Sequence, residues 1–238
     1  MNRKTIVINL IVLLGVISSV LINPTDAKAG SPEREQQRSI MLASAVEFRW
    51  DKNKNARNPH ESLGTKISLN TVLTHNHFSD LAGTFIYDPS KPNRPHGVSK
   101  TTRTTQIGRS RQYGAQTRLV YTAVKYAGEI APIASQRTIR QLRVGAFVDV
   151  VYWDDARQAL AVAEFQIKEI MDNTVIVLDD PADIINGGDS GGGVFYNGEL
   201  IGNTWRYIRS WDGQSNLIDK DVQVHIVPAE LSRILGNW

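Results

Sequence analysis

Ser190 stands within Asn186–Phe195, which reads Asn-Gly-Gly-Asp-Ser-Gly-Gly-Gly-Val-Phe and surrounds one hydroxyl and one carboxylate with five glycines. Glycine lacks the Cβ that penalises left-handed backbone, so such a stretch can bend sharply and aim several N–H groups at one point. A hydroxyl at the centre of a backbone anion site suits an acyl-transfer nucleophile, with its tetrahedral oxyanion held by those N–H groups. The competing reading is a glycine-rich hairpin turn that does no chemistry. A general base is at hand in His75-Asn76-His77, where a strand-like run, Lys66–Thr74, comes to its end. On a strand His75 and His77 would share a face and could chelate, yet no glutamate or cysteine stands near to complete a zinc site. No metal and no cofactor is therefore expected, and His60, His96 and His225 add no further pair.

The chain that must position these groups opens on an address. Arg3 and Lys4 precede the apolar run Ile6–Ile22, and Ala27-Lys28-Ala29 supplies small residues at a cleavage site, so 1–29 reads as a secretory signal peptide. A retained membrane anchor is the alternative, because the run approaches the roughly 20 residues that span a bilayer. Removing 1–29 takes three basic residues and one acid from a net charge of +3, leaving +1 on 209 residues. That near balance argues against a general attraction to nucleic acid. There is no cysteine, so an exported protein of this composition holds together by its core rather than by disulfides.

Ser31–Ser44 carries helix-start signals, a Ser cap followed by Pro32 and early acids, and reads as a short helix in a segment, 30–44, that is a surface arm or a propeptide. Strand-sized runs follow at Ala45–Trp50, Lys66–Thr74, Arg118–Val124, Arg143–Tyr152, Leu160–Ile170, Thr174–Leu178, Gly193–Tyr196, Leu200–Thr204 and Val222–Val227. Pro228–Leu235 places Leu231, Ile234 and Leu235 at helical spacing, which closes an all-β chain with a short C-terminal helix. Between Lys91 and Arg118 there are seven Lys or Arg and no acid. This segment is expected to be a solvated loop or exposed hairpin, or else a basic rim for an anionic partner.

Val72-Leu73-Thr74-His75-Asn76-His77 resembles the histidine segment of trypsin-like (chymotrypsin-fold) serine proteases, and Gly188-Asp189-Ser190-Gly191-Gly192 resembles their nucleophile segment. The order is the family's, with His77 and Ser190 113 residues apart, and the likeness extends over about residues 45–236. It implies two antiparallel six-stranded β-barrels with one motif in each, a peptidase domain at 45–238, and secretion as a monomer acting on peptide or protein substrates. It further implies Ser190 as nucleophile, His77 as general base, and the N–H groups of Gly188 and Ser190 as the oxyanion hole. His75 is then a surface residue or a neighbour of the base. Counting six residues back from Ser190 puts Ile184 at the floor of the specificity pocket, with Asp183 beside it and Trp205 as a wall.

Two positions depart from the family's pattern. The strand beginning at Thr117 is preceded by Tyr113-Gly114-Ala115-Gln116, with no carboxylate to orient the imidazole. Asp80 or Asp88 could serve instead, the chain could work with a Ser-His pair, or activity could be absent. Asp189 lacks a matching Ile-Val-Gly-Gly start to pair with, so if buried it needs an internal partner, and otherwise it is a solvent-facing turn residue. These departures keep open a second function, that of a non-catalytic protein of the same fold that binds an anionic partner or cell-surface polymer.

Overall fold

The computed structural model describes residues 31–49, 62–76, 85–87, 99–108, 117–122 and 129–236. Helix α1, Pro32–Ser44, starts where Ser31 Oγ accepts from the Arg34 N–H at 3.3 Å, and Pro32 occupies the first turn, where a missing N–H costs nothing. It is no free arm. Met41 is buried, and Arg34 reaches Glu164 and Asp149 while Arg38 reaches Asp149, both at 3.3 Å from that aspartate.

The first barrel contains β1 (Ala45–Arg49), β2 (Ser62–Ser68), β3 (Thr71–His75), β4 (Phe85–Tyr87), β5 (Ser99–Ile107) and β6 (Thr117–Thr122), closed in the order β1-β2-β3-β6-β5-β4. The run that reads as one strand from Lys66 is split at the Leu69-Asn70 turn into β2 and β3, which then pair antiparallel. The basic segment supplies β5. Its exposed positions, Arg103, Thr105 and Gln106, are polar, so a strand stands where the hydrophobic pattern shows none.

After the helical turn α2 (Gln136–Ile139), the second barrel is built from β7 (Phe147–Asp154), β8 (Ala159–Met171), β9 (Val175–Asp179), β10 (Gly193–Tyr196), β11 (Glu199–Trp211) and β12 (Leu217–Ile226). It closes as β10-β11-β12-β9-β8-β7. In β8, Phe165 and Ile167 are buried while Glu164, Gln166 and Lys168 are exposed, the period-2 alternation of a strand with one face to the core. Asn197-Gly198, both at positive φ, turn β10 into β11. Helix α3 (Glu230–Gly236) ends the described chain and buries Leu231.

Val148, Val150, Phe165, Ile176, Val194 and Val224 fill the second barrel, and Val46, Phe48, Val72 and Val120 cluster in the first. A third cluster draws Leu73 and Leu119 from one barrel, Val151, Phe195 and Leu200 from the other, Met41 from α1 and Leu231 from α3. The two barrels are therefore welded by shared apolar surface, and the site lies along that weld. Among the described residues no helix is long and apolar enough to cross a membrane.

Candidate active site

The glycine-rich segment forms a turn locked by main-chain hydrogen bonds. Asp189 N–H donates to Asn186 O at 3.1 Å, Gly192 N–H to Asp189 O at 3.0 Å, and Gly191 N–H to Thr204 O at 2.8 Å. Gly188 at φ 94° and Gly191 at φ 90° lie in the left-handed region that glycine enters without strain. Asp189 is 2% exposed, and its carboxylate accepts from the N–H of Trp153 at 2.9 Å and of Asn186 at 2.8 Å. The solvent-facing alternative is thus excluded. Two of its internal partners are main-chain donors, one on β7 and one on the turn itself.

Ser190 is held from both barrels. Its carbonyl accepts from Leu63 N–H of β2 at 2.9 Å, and its Oγ donates to Trp205 O of β11 at 3.1 Å. The register between β11 and β12 shifts between Thr204 and Arg206, a bulge of the kind that re-aims backbone beside active sites. A Cβ on Gly191 would overlap Leu63 O and Thr74 Oγ1. Thr74 itself donates to Leu63 O at 2.6 Å, so β2, β3 and the serine turn meet at one point.

His77 and Asp80 lie outside the described residues, as does Asp88. The strand leading to His77 is fixed up to Asn76, whose Oδ1 accepts from Arg118 Nε at 2.8 Å and from Gln106 Nε2 at 3.2 Å. His75 is not a surface residue. All five residues of β3 are buried because β2 and β6 flank the strand, and His75 sits at 0% exposure opposite Thr117. Thr117 in turn donates to Asn203 Oδ1 at 3.1 Å across the barrel junction.

Trp205 is buried, its ring edge-on to His225 with centroids 5.1 Å apart and the Arg206 guanidinium 4.3 Å over its face. Ile184 packs against the core of the second barrel, and its N–H donates to Asp180 Oδ1 at 2.9 Å. Around that loop stands a charged cluster which sequence reading missed apart from Asp183. Asp180 also accepts from Ile185 N–H at 2.9 Å and pairs with Lys220 at 3.1 Å, both of them at 0% side-chain exposure. Lys220 bonds Asp183 and Ile185 O as well, and Arg209 reaches Asp183 at 2.7 Å and Asn186 Oδ1 at 2.8 Å. Burial works to raise the Asp183 pKa, but hydrogen bonds from Lys220 and Arg209 outweigh it and hold the carboxyl below its ordinary value. Asp179, Asp219 and Asp221 also converge, with the Lys168 ammonium on Asp219 at 2.7 Å and Asp221 at 2.8 Å.

No protein-family model matches the chain, and no curated protein matches it. Solved structures do. A scabies mite inactivated protease paralogue, S-I1, superposes with a TM-score of 0.61 at 12% identity, over 84% of this chain and 95% of its own. The human heparin binding protein gives 0.61 at 11% identity, over 84% and 92%. Kallikrein-related peptidase 10 in complex with Zn2+ gives 0.57 at 15% identity, over 84% and 97%. Two closed six-stranded barrels, a serine turn pinned between them and these likenesses establish that the chain has the trypsin-like serine protease fold.

Proposed function

We propose that the chain is a secreted serine endopeptidase in which Ser190 is the nucleophile and His77 the general base. The observation that carries this reading is the junction of Ser190, Gly191, Leu63 and Thr74, which sets the serine turn against the end of the strand that leads to His77. Three residues of chain separate Thr74 from His77, a reach of at most about 11 Å. The imidazole takes the proton of Ser190 Oγ as the oxygen attacks the substrate carbonyl. The N–H groups of Gly188 and Ser190 hold the oxyanion, and the imidazolium returns the proton to the leaving amine. Water then repeats the sequence on the acyl-enzyme. Asp80 is the carboxylate assigned to orient the ring. If it does so, Asp80→Ala lowers turnover by about 10⁴, whereas turnover unchanged both there and in Asp88→Ala points to a Ser-His pair. Residues 1–29 would direct export and be removed, leaving a monomer with no affinity for nucleic acid.

The test is labelling of the folded mature protein with a fluorophosphonate. Label on Ser190, lost in Ser190→Ala and in His77→Ala, is the expected result, and absence of label on the folded wild type sinks the reading.

A second reading, a non-catalytic protein of this fold binding an anionic polymer, is favoured by the exposed polar face of β5 with Arg103 in the basic segment. Inactivated protease paralogues and a heparin binding protein share the fold. It requires salt-sensitive binding to heparin that survives Ser190→Ala, and peptidase activity abolished by that change removes it.

A further inference from the structure

Apart from the serine turn, the described residues enclose a cavity of about 260 Å³ between the barrels. The first barrel gives it Ile107, Gly108 and Thr117, and the helical turn α2 gives Gln136 and Ile139. The remaining wall comes from the Asn173-Thr174 turn and from the chain that leaves β12 for α3. Hydrogen bonds fix these parts in place. Ile226 N–H donates to Thr174 O at 2.9 Å, which ties the turn to β12, and Gly108 N–H donates to Glu230 Oε1 at 3.1 Å, which ties the first barrel to α3. The cavity is therefore formed without a ligand, as small-molecule sites usually are, and its volume lies just below the about 300–1,000 Å³ typical of them. Its occupant must be small.

The lining has one sign of charge. Glu230 is its only Asp, Glu, Lys or Arg, and the other ionisable group, His225, packs its ring edge-on against Trp205. The Glu230 carboxylate takes the Gly108 N–H, and among the described residues no cation pairs with it. Asp183 and Asp180, by contrast, are both held by Lys220. A carboxylate can accept about four hydrogen bonds, so Glu230 keeps capacity for a ligand. One carboxylate beside Ile107, Ile139, Val227 and Pro228 is too little for a divalent ion, which takes several oxygen ligands. It suits an organic cation, whose ammonium donates to the carboxylate and whose apolar part meets the aliphatic wall. Thr174, Asn173 and Gln136, also in the lining, carry side chains able to accept the further hydrogen bonds of an ammonium with three donors.

We propose that this cavity binds a small primary amine in its protonated form, with the ammonium on Glu230 and a short apolar body against Ile107, Ile139 and Val227. The probe is 2-phenylethylammonium, set against 2-phenylethanol, which has the same body without the charge. Each is titrated into the folded mature protein and followed by ligand-detected NMR. The ammonium is expected to bind saturably and at least about tenfold more tightly than the alcohol, the difference that a charge-assisted hydrogen bond makes. Glu230→Gln keeps an acceptor for Gly108 N–H and removes the charge, so it should bring the ammonium down to the affinity of the alcohol. Gln136→Lys places a tethered ammonium at an exposed position of the lining and should weaken the probe as well, which serves if circular dichroism shows Glu230→Gln to be unfolded. Absence of saturable binding to wild type overturns the proposal. So does an alcohol that binds as tightly, or ammonium binding left unchanged in the folded variants. Neither Ser190 nor any other residue of the serine turn lines the cavity, so this claim and the labelling of Ser190 fail separately.

Discussion

The main-chain N–H of Leu63 donates to the carbonyl of Ser190 at 2.9 Å, a bond that joins the second strand of one barrel to the serine turn of the other. The adjacent glycine fits only because it has no side chain, since a Cβ on Gly191 would overlap Leu63 O and Thr74 Oγ1. The two barrels are thereby coupled at the point where the proposed chemistry occurs.

Gly191→Ala is accordingly expected to be severe. Positive φ costs about 1–3 kcal/mol in a non-glycine residue, and overlap with a main-chain carbonyl adds about as much again. Gly145 is the control: its φ is 86°, but nothing lies within 4 Å of a Cβ there, so Gly145→Ala pays the backbone term alone. Urea unfolding of both variants separates the two contributions, and equal losses would show that the junction is loose.

Asp189→Asn keeps the shape and removes one acceptor. Both carboxylate oxygens face N–H donors, from Trp153 and Asn186, so an amide must turn its NH₂ toward one of them. A loss of about 1–3 kcal/mol is expected, together with weaker fluorophosphonate labelling of Ser190, measured by thermal melting and by labelling rate.

Lys220 and Lys168 each contact two aspartates, yet they should behave differently. Lys220→Met leaves the fully buried Asp180 without its cation and is expected to cost about 3–5 kcal/mol. Lys168, 41% exposed, pairs with Asp219 and Asp221 at the surface, and Lys168→Met should cost less than about 1 kcal/mol. Denaturant midpoints decide, and similar losses for the two would contradict the burial argument.

Asp183 carries a pH signature. Its carboxyl is held below the ordinary value of 3.8, so its pairing contributes stability that is complete above that value and is lost as pH falls through the lower folded value. The difference in Tm between wild type and Asp183→Asn should be constant above about pH 5 and shrink toward zero below it. A difference that grows on acidification would mean that the sign, and hence the pairing, is wrong.

What the sequence disclosed followed from local rules. Gly193–Tyr196 and the Asn197-Gly198 turn are legible because β-branched and aromatic residues end at a dipeptide that selects its own turn type. The helix at Pro32 is legible from its cap. The strand β5 was hidden because its exposed positions are polar, and β11 extends seven residues beyond Thr204 because polar pairs such as Arg209 with Lys220 prolong the ladder past the apolar core. The nucleophile motif showed the turn but not its anchors. Leu63, Thr204 and Lys220 are brought there by barrel closure and strand register, which no local pattern encodes. That His75 is buried, and so not the surface residue of one of its two readings, is hidden in the sequence because strand alternation does not reveal that both neighbouring strands cover it.

Two of the partners of Asp189 are main-chain amides, and every amino acid but proline supplies one. Outside proline, no single side-chain replacement at Trp153 or Asn186 deletes the donor, so the serine turn is buffered against drift at the positions that hold it. A variant without its base would still carry both of these bonds to the serine turn.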